Sequence, residues 1–338
     1  NWYRAQDARP CLRSHVRIHR HHYRGQLWYV LQDRTSGRFL RFTPPAYLII
    51  SLMNGQRTVQ EIWDLSCERL GDDVLTQDEM ISLLAQLHQS DALRGDGIPD
   101  LQESSERARR IGRRKKIMSF INPMAIRIPL IDPDRFLTAT LPAVRPIMTW
   151  IGALIFIVVV ATAIVLAGLN WPQLTNNIAD RVLAAESLLT LLLTYPFVKA
   201  VHELGHGYVL KRWGGEVHEM GVMFLVFMPV PYVDASDTAA LRSKWRRAFV
   251  GAAGILVEAF LAALALFVWL NAEEGMVRAV AFNVMVIGGV STLLFNGNPL
   301  LRFDGYYVFS DLIEAPNLGT RSNRYLGYLI QRHLFGVE

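Results

Sequence analysis

At 338 residues, 51% of them hydrophobic, the chain is long enough for two or three units and too apolar for an ordinary soluble domain. Its 35 basic and 30 acidic residues leave a net charge of +5, and the bases gather outside the apolar runs, which suits an anionic membrane surface rather than nucleic acid. Two cysteines, Cys11 and Cys67, form no C-x-x-C pair, which leaves no basis for a disulfide framework or a cysteine-ligated metal.

Residues 1–98 read as a small soluble domain. His15–Arg20, Leu27–Gln32 and Arg38–Phe42 are strand candidates, with Ser36-Gly37 as a hairpin turn between the last two. Helical patterns come next over Ala46–Met53, Thr58–Leu70 and Thr76–Gln89, with stops at Asn54-Gly55 and Gly71-Asp72. Thr76-Gln77-Asp78-Glu79 opens the third helix as a capping box. Strands packed with three short helices predict a winged-helix arrangement. DNA binding is one use of such a fold, and His15, Arg17, His19, Arg20, His21 and His22 make a basic strand. The third helix, however, carries Gln77, Asp78, Glu79 and few bases, a poor match to a major-groove reader. The histidine run therefore reads as an exposed, solvated strand. No carboxylate or cysteine stands near it to complete a metal site.

From 99 to 142 the composition changes. Arg107, Arg109, Arg110, Arg113, Arg114, Lys115 and Lys116 crowd a short helical stretch ahead of an apolar run, a position that favours anionic lipid headgroups. Asn122-Pro123 and Ile131-Asp132-Pro133 break the rest of this region into short pieces expected on the membrane interface. Residues 143–310 hold four apolar runs. Ile147–Gly168 is uncharged and long enough to cross a bilayer; Val182–Val209 is the second, with Pro196 bending it. Ala248–Ala272 is interrupted only by Glu258, and Ala279–Leu301 is uncharged throughout. Gly221–Val233 is apolar but too short to span, and Pro229 and Pro231 predict a re-entrant hairpin or extended segment. The expected fold is thus mainly α: a helical membrane protein of about four spans with a small α+β domain before it.

Bases also lie at Lys211, Arg212, Arg242, Lys244, Arg246 and Arg247, whereas the opposite loops hold Asp180, Glu273 and Glu274 with only Arg181 and Arg278. The positive-inside rule then puts the N-terminal domain, and the segment 311–338, in the cytosol. The chain opens at Asn1 with no signal peptide and is expected to be a piece of a longer protein.

Within the second run stands His202-Glu203-Leu204-Gly205-His206. On a helix, residues four apart share a face, so both imidazoles can grip one zinc ion, and Glu203 is placed to take a proton from water on that ion. Ionisable groups in so apolar a helix are functional candidates by default. Two histidines leave a catalytic zinc short of its usual three protein ligands. The best third is Asp304, which comes after Asn296-Gly297-Asn298-Pro299 at the same end of the fourth run and therefore at the same depth. Asp234 and Asp237 read as turn and cap residues, and His218-Glu219 lacks a second histidine.

Here the chain resembles the site-2 protease family of intramembrane zinc metalloproteases. His202-Glu203-Leu204-Gly205-His206 matches the first motif of that family. Asn296-x-x-Pro299 followed by Asp304-Gly305 matches the second, N-x-x-P-x-x-x-x-D-G, and the likeness covers roughly 140–310. It is nearest to the bacterial peptide zinc metalloprotease type, which shares the run Asn298–Tyr307. The resemblance implies His202, His206 and Asp304 as zinc ligands and Glu203 as general base. It implies Asn296 as a polar group holding the substrate strand or the oxyanion. It also implies a bacterial inner membrane. Relatives often carry G-P-x-x-N in the third span where this chain has Gly254-Ile255-Leu256-Val257-Glu258. Glu258 is thus a candidate substrate-positioning group that could hydrogen-bond as a neutral acid, pair with Lys199 or Arg302, or join a polar path into the site. The domain at 1–98 resembles PqqD-like domains in strand and helix order and in Phe42-Thr43-Pro44, which implies capture of a precursor peptide on a strand edge.

The expected function is zinc-dependent hydrolysis of peptide bonds in membrane or membrane-associated peptides. The rival reading is a non-proteolytic zinc-binding subunit of an export or efflux assembly, with exporter or adaptor subunits as partners. A membrane-tethered DNA-binding regulator ranks last.

Overall fold

A computed structural model describes the chain except residues 1, 24, 34–37, 91, 95–125, 177–184, 226–227, 316–317, 335 and 337–338. The protein is mainly helical and divides into two units, Asn1–Ile126 and Arg127–Glu338. The proposed Ser36-Gly37 turn and the basic stretch Arg107–Lys116 lie outside the described residues.

In the first unit α1 (Trp2–Ala5) precedes a short strand β1 (Cys11–Leu12). Strands β2 (Val16–Tyr23), β3 (Gln26–Asp33) and β4 (Arg38–Phe42) form an antiparallel sheet in that order. Helices α2 (Pro44–Leu52), α3 (Val59–Leu70) and α4 (Gln77–Gln89) come next, and β5 (Leu93–Arg94) returns to pair with β1. The core is Leu31 from the sheet with Ile49, Ile50, Ile62, Met80, Leu84 and Leu87 from the helices, each almost wholly buried. The helix starts are chemically defined. Glu61 and Glu79 reach back to the backbone N–H of Thr58 and Thr76, while each threonine hydroxyl accepts from its glutamate's N–H. The Thr76 box agrees with the sequence expectation. The Thr58 box has the same T-x-x-E signature, Thr58 to Glu61.

One expectation for this unit is corrected. The histidine strand is not uniformly solvated: His21 is buried at 1% exposure and stacks on Tyr23, with ring centroids 5.9 Å apart. Strand alternation turns His21 and Tyr23 inward while Arg20 and His22 face out.

The second unit opens within β6 (Ile126–Ile131), from Arg127, and continues into α5 (Asp134–Val144). Then come α6 (Trp150–Leu169), α7 (Trp171–Thr175) and α8 (Ala185–Arg212), the helix of the histidine motif. A hairpin of β7 (Met220–Leu225) and β8 (Met228–Val233) leads to α9 (Lys244–Asn271). Helix α10 (Met276–Met285) runs on as a π-helix, Val286–Asn296, before α11 (Asp304–Leu312) and α12 (Leu318–Leu334). Strand β6, in the region expected to form short pieces on the interface, is an outer strand of a sheet ordered β6-β7-β8. Gly221 permits this: a Cβ there would lie 2.1 Å from the Ile128 carbonyl oxygen.

Among the described residues three helices are long and apolar enough to cross a membrane: Trp150–Leu169, Lys244–Asn271 and Met276–Asn296. The motif helix α8, expected as a further span, has 28 residues but is not one of these three. Helix α9 is the hub, packed against α6, α8, α10, the π-helix and α11. Its approach to α8 depends on Gly205, where a Cβ would come within 2.8 Å of Val257. At one end Lys211 Nζ stands 2.5 Å from Asp134, which also accepts from Val217 N, and Arg247 pairs with Asp311 at 2.8 Å.

Candidate metal centre

The four-residue spacing puts His202 and His206 on the face of α8 that meets α9, and both are buried. His206 Nδ1 lies 2.7 Å from the Val250 carbonyl oxygen. A carbonyl can only accept, so Nδ1 carries the proton and Nε2 keeps its lone pair. The His202 ring rests on the backbone of α9 at Gly254, where a Cβ would fall 2.3 Å from Nε2. No other residue type leaves that seat open.

Asp304 arrives from elsewhere in the chain. The π-helix ends at Asn296, the chain turns through residues 297–303, and Asp304 is the first residue of α11. Gly305 packs on Gly297, where a Cβ would sit 2.6 Å from the backbone. Asp304 Oδ2 is thereby 2.9 Å from His202 Nε2 and 3.4 Å from His206 Nε2, and the two nitrogens are 3.1 Å apart.

These three atoms suit a cation better than one another. Asp304 Oδ2 is buried and, despite its two close nitrogens, lies in line for a hydrogen bond with neither. Ligands of a tetrahedral zinc with bonds of about 2.0–2.1 Å stand about 3.3 Å apart, close to the three separations seen here. Two nitrogens and one carboxylate oxygen are also the donor set of a catalytic zinc with an open position. The residues present fit the metal that the sequence suggested.

Around this trio lie five further groups. Glu203 Oε2 accepts from the backbone N–H of Val233 at 3.0 Å, so the end of β8 fixes the carboxylate next to His202 in the chain. Glu258 is fully buried, with Oε1 2.5 Å from Lys199 Nζ and 3.0 Å from His202 Nδ1, the latter off the line of a straight hydrogen bond. Its Oε2 accepts from Thr292 Oγ1 and, at 3.3 Å, from Asn296 Nδ2. Of the partners the sequence offered for Glu258, the fold selects Lys199, whereas Arg302 reaches toward Gly319. The Asn296 amide, expected to face substrate, commits a donor to Glu258.

The hairpin has a chemically one-sided edge. Asp234 N donates to Glu219 O, which sets the ladder so that even-numbered residues of β8 bond to β7 and odd-numbered ones face outward. Those outward residues are Pro229, Pro231 and Val233. Both prolines lack an N–H, and that of Val233 is held by Glu203. Asp234 serves as a turn acceptor for Ser236 N, Asp237 instead accepts from Glu216 N, 21 positions earlier in the chain, and His218 pairs with Asp132 and Glu216.

Sequence reasoning missed the Gly254 seat and the Val250 carbonyl. Gly254 could have been suspected as a small residue in an apolar helix. The carbonyl leaves no sequence signal. No curated protein and no solved structure matches the chain. Residues 189–296, which hold both histidines, Glu203, Lys199, Glu258 and Asn296, match the sequence model of Peptidase family M50, so this segment is similar to the members of that family.

Proposed function

We propose that the protein is a membrane-embedded zinc endopeptidase acting on membrane or membrane-associated peptides. The observation that carries this reading is the convergence of His202 Nε2, His206 Nε2 and Asp304 Oδ2 within 2.9–3.4 Å, with Glu203 next in sequence to His202. Zinc, when bound by these three, supplies the Lewis acidity that acidifies water and polarises a peptide carbonyl. Glu203 is the base. With Oε2 held by Val233 N–H, Oε1 is left to receive a proton and return it to the departing amine.

A peptide in helical form has its carbonyls occupied, so the substrate has to be extended. The outer edge of β8 suits that need in an asymmetric way. An added strand can donate its N–H groups to the carbonyls of Pro229 and Pro231 but receives no N–H in return. Its own carbonyls stay free for the metal side. Four spans, with α8 among them, and a cytosolic N-terminal unit that binds precursor peptide in the PqqD-like manner complete the proposal, in a bacterial inner membrane.

The test is Glu203→Gln. The variant is expected to keep its zinc and to lose cleavage of a co-expressed membrane peptide by at least about a hundredfold. Cleavage at the wild-type rate would remove Glu203 from the chemistry and the proposal with it.

A further inference from the structure

Glu258 is neither a metal-ligand candidate nor in contact with solvent, yet it sits fully buried among apolar helices. A carboxylate in such surroundings persists only where its charge and lone pairs are matched. Both oxygens are matched: Oε1 by Lys199, with His202 Nδ1 at 3.0 Å, and Oε2 by Thr292 and Asn296. Lys199 is itself buried, and its three-residue spacing from His202 puts the two on one face of α8. The contact with His202 is at Nδ1, the ring nitrogen that faces away from Asp304.

Taking the zinc reading as its basis, we infer that Lys199 and Glu258 act as one unit that positions His202 for the metal. Glu258 Oε1 holds the ring from the Nδ1 side so that Nε2 is the donor, and Lys199 holds Glu258. The Val250 carbonyl does the equivalent for His206 without adding charge. A carboxylate in that role adds a negative charge beside Asp304 and Glu203, and Lys199 cancels it. With all four ionised, their net charge is equal and opposite to that of a divalent cation. Removing either member of the pair breaks this balance; removing both restores it. Neither residue touches substrate in this scheme. They act through His202.

The full chain in detergent or nanodiscs is titrated with zinc against a chromogenic chelator, for wild type, E258Q, K199M and K199M/E258Q. Melting of the metal-free proteins is tracked in parallel. Each single variant is expected to weaken zinc binding by about 10–100-fold. The double variant is expected to be no weaker than the weaker single, because members of a unit fail together. Zinc affinity of E258Q within about twofold of wild type overturns the inference, and so does a double variant whose loss is the product of the single losses. A role confined to packing would lower the melting temperature and leave the affinity of the folded protein unchanged, which also counts against it. Should K199M fail to fold, the absorption of cobalt-substituted E258Q carries the test: shifted bands are expected, and a wild-type spectrum overturns the unit. If the wild type itself takes up no zinc, the endopeptidase reading fails first, and the two failures are distinct.

Discussion

At His202 two constraints meet on one ring. Asp304 approaches Nε2 on one side, and the bare backbone of Gly254 supports the ring from α9. The cost of losing that support is measurable. Gly254→Ala puts a methyl where the imidazole lies, 2.3 Å from Nε2, so the ring has to leave its position. Alanine is the better helix former, so α9 itself is expected to survive. Zinc affinity in a chelator competition is expected to fall at least about tenfold, with helical content by circular dichroism unchanged. A G254A protein that binds zinc as tightly as wild type would show that the ring is not seated there. The residues of the H-E-x-x-H run were legible because their relation is local: one helix turn fixes it. The choice of Lys199 over Arg302 as the partner of Glu258 was not, since both are plausible in charge and only the packing of α8 on α9 decides.

The elements show where pattern reading reaches its limit. The ends of α3 and α4 were readable because a cap is a contact within four residues. The pairing of β6 with β7 joins segments about ninety positions apart, and nothing local in Ile126–Ile131 encodes its partner. Alternation would have found the inward turn of His21, had the strand been assigned a buried face. The junction of α5 with α8 gives a pH-dependent prediction. Burial works against ionisation of Asp134, but Lys211 and the Val217 N–H outweigh it and hold its pKa below the ordinary value. A depressed folded pKa means stability present above the unfolded pKa and lost as pH falls through the folded one. Asp134→Asn is therefore expected to melt below wild type near pH 7, with the difference shrinking as pH drops below about 4. A difference that stayed constant down to pH 2 would assign the effect to packing instead.

Across the whole molecule, an apolar exterior and a polar interior coexist in the second unit. Trp150, Leu154, Ile157, Ile164 and Leu169 of α6 are exposed, as a helix bathed in lipid would leave them. Inside, Lys199, His202, His206, Glu258, Asn283 and Thr292 are buried. Membrane character was legible from composition alone. The contribution of α8 was harder to read, because the ionisable groups that make it the candidate site also lower its apolarity. Everything proposed for function requires a single metal at the meeting point of α8 and α11. The direct measurement is metal analysis with zinc-edge X-ray absorption on the full chain purified without chelators. About one zinc per chain is expected, bound by nitrogen and oxygen donors at about 2.0–2.1 Å, and Asp304→Ala is expected to lose most of it. A protein free of zinc, or a D304A variant with wild-type zinc content and spectrum, would contradict the account.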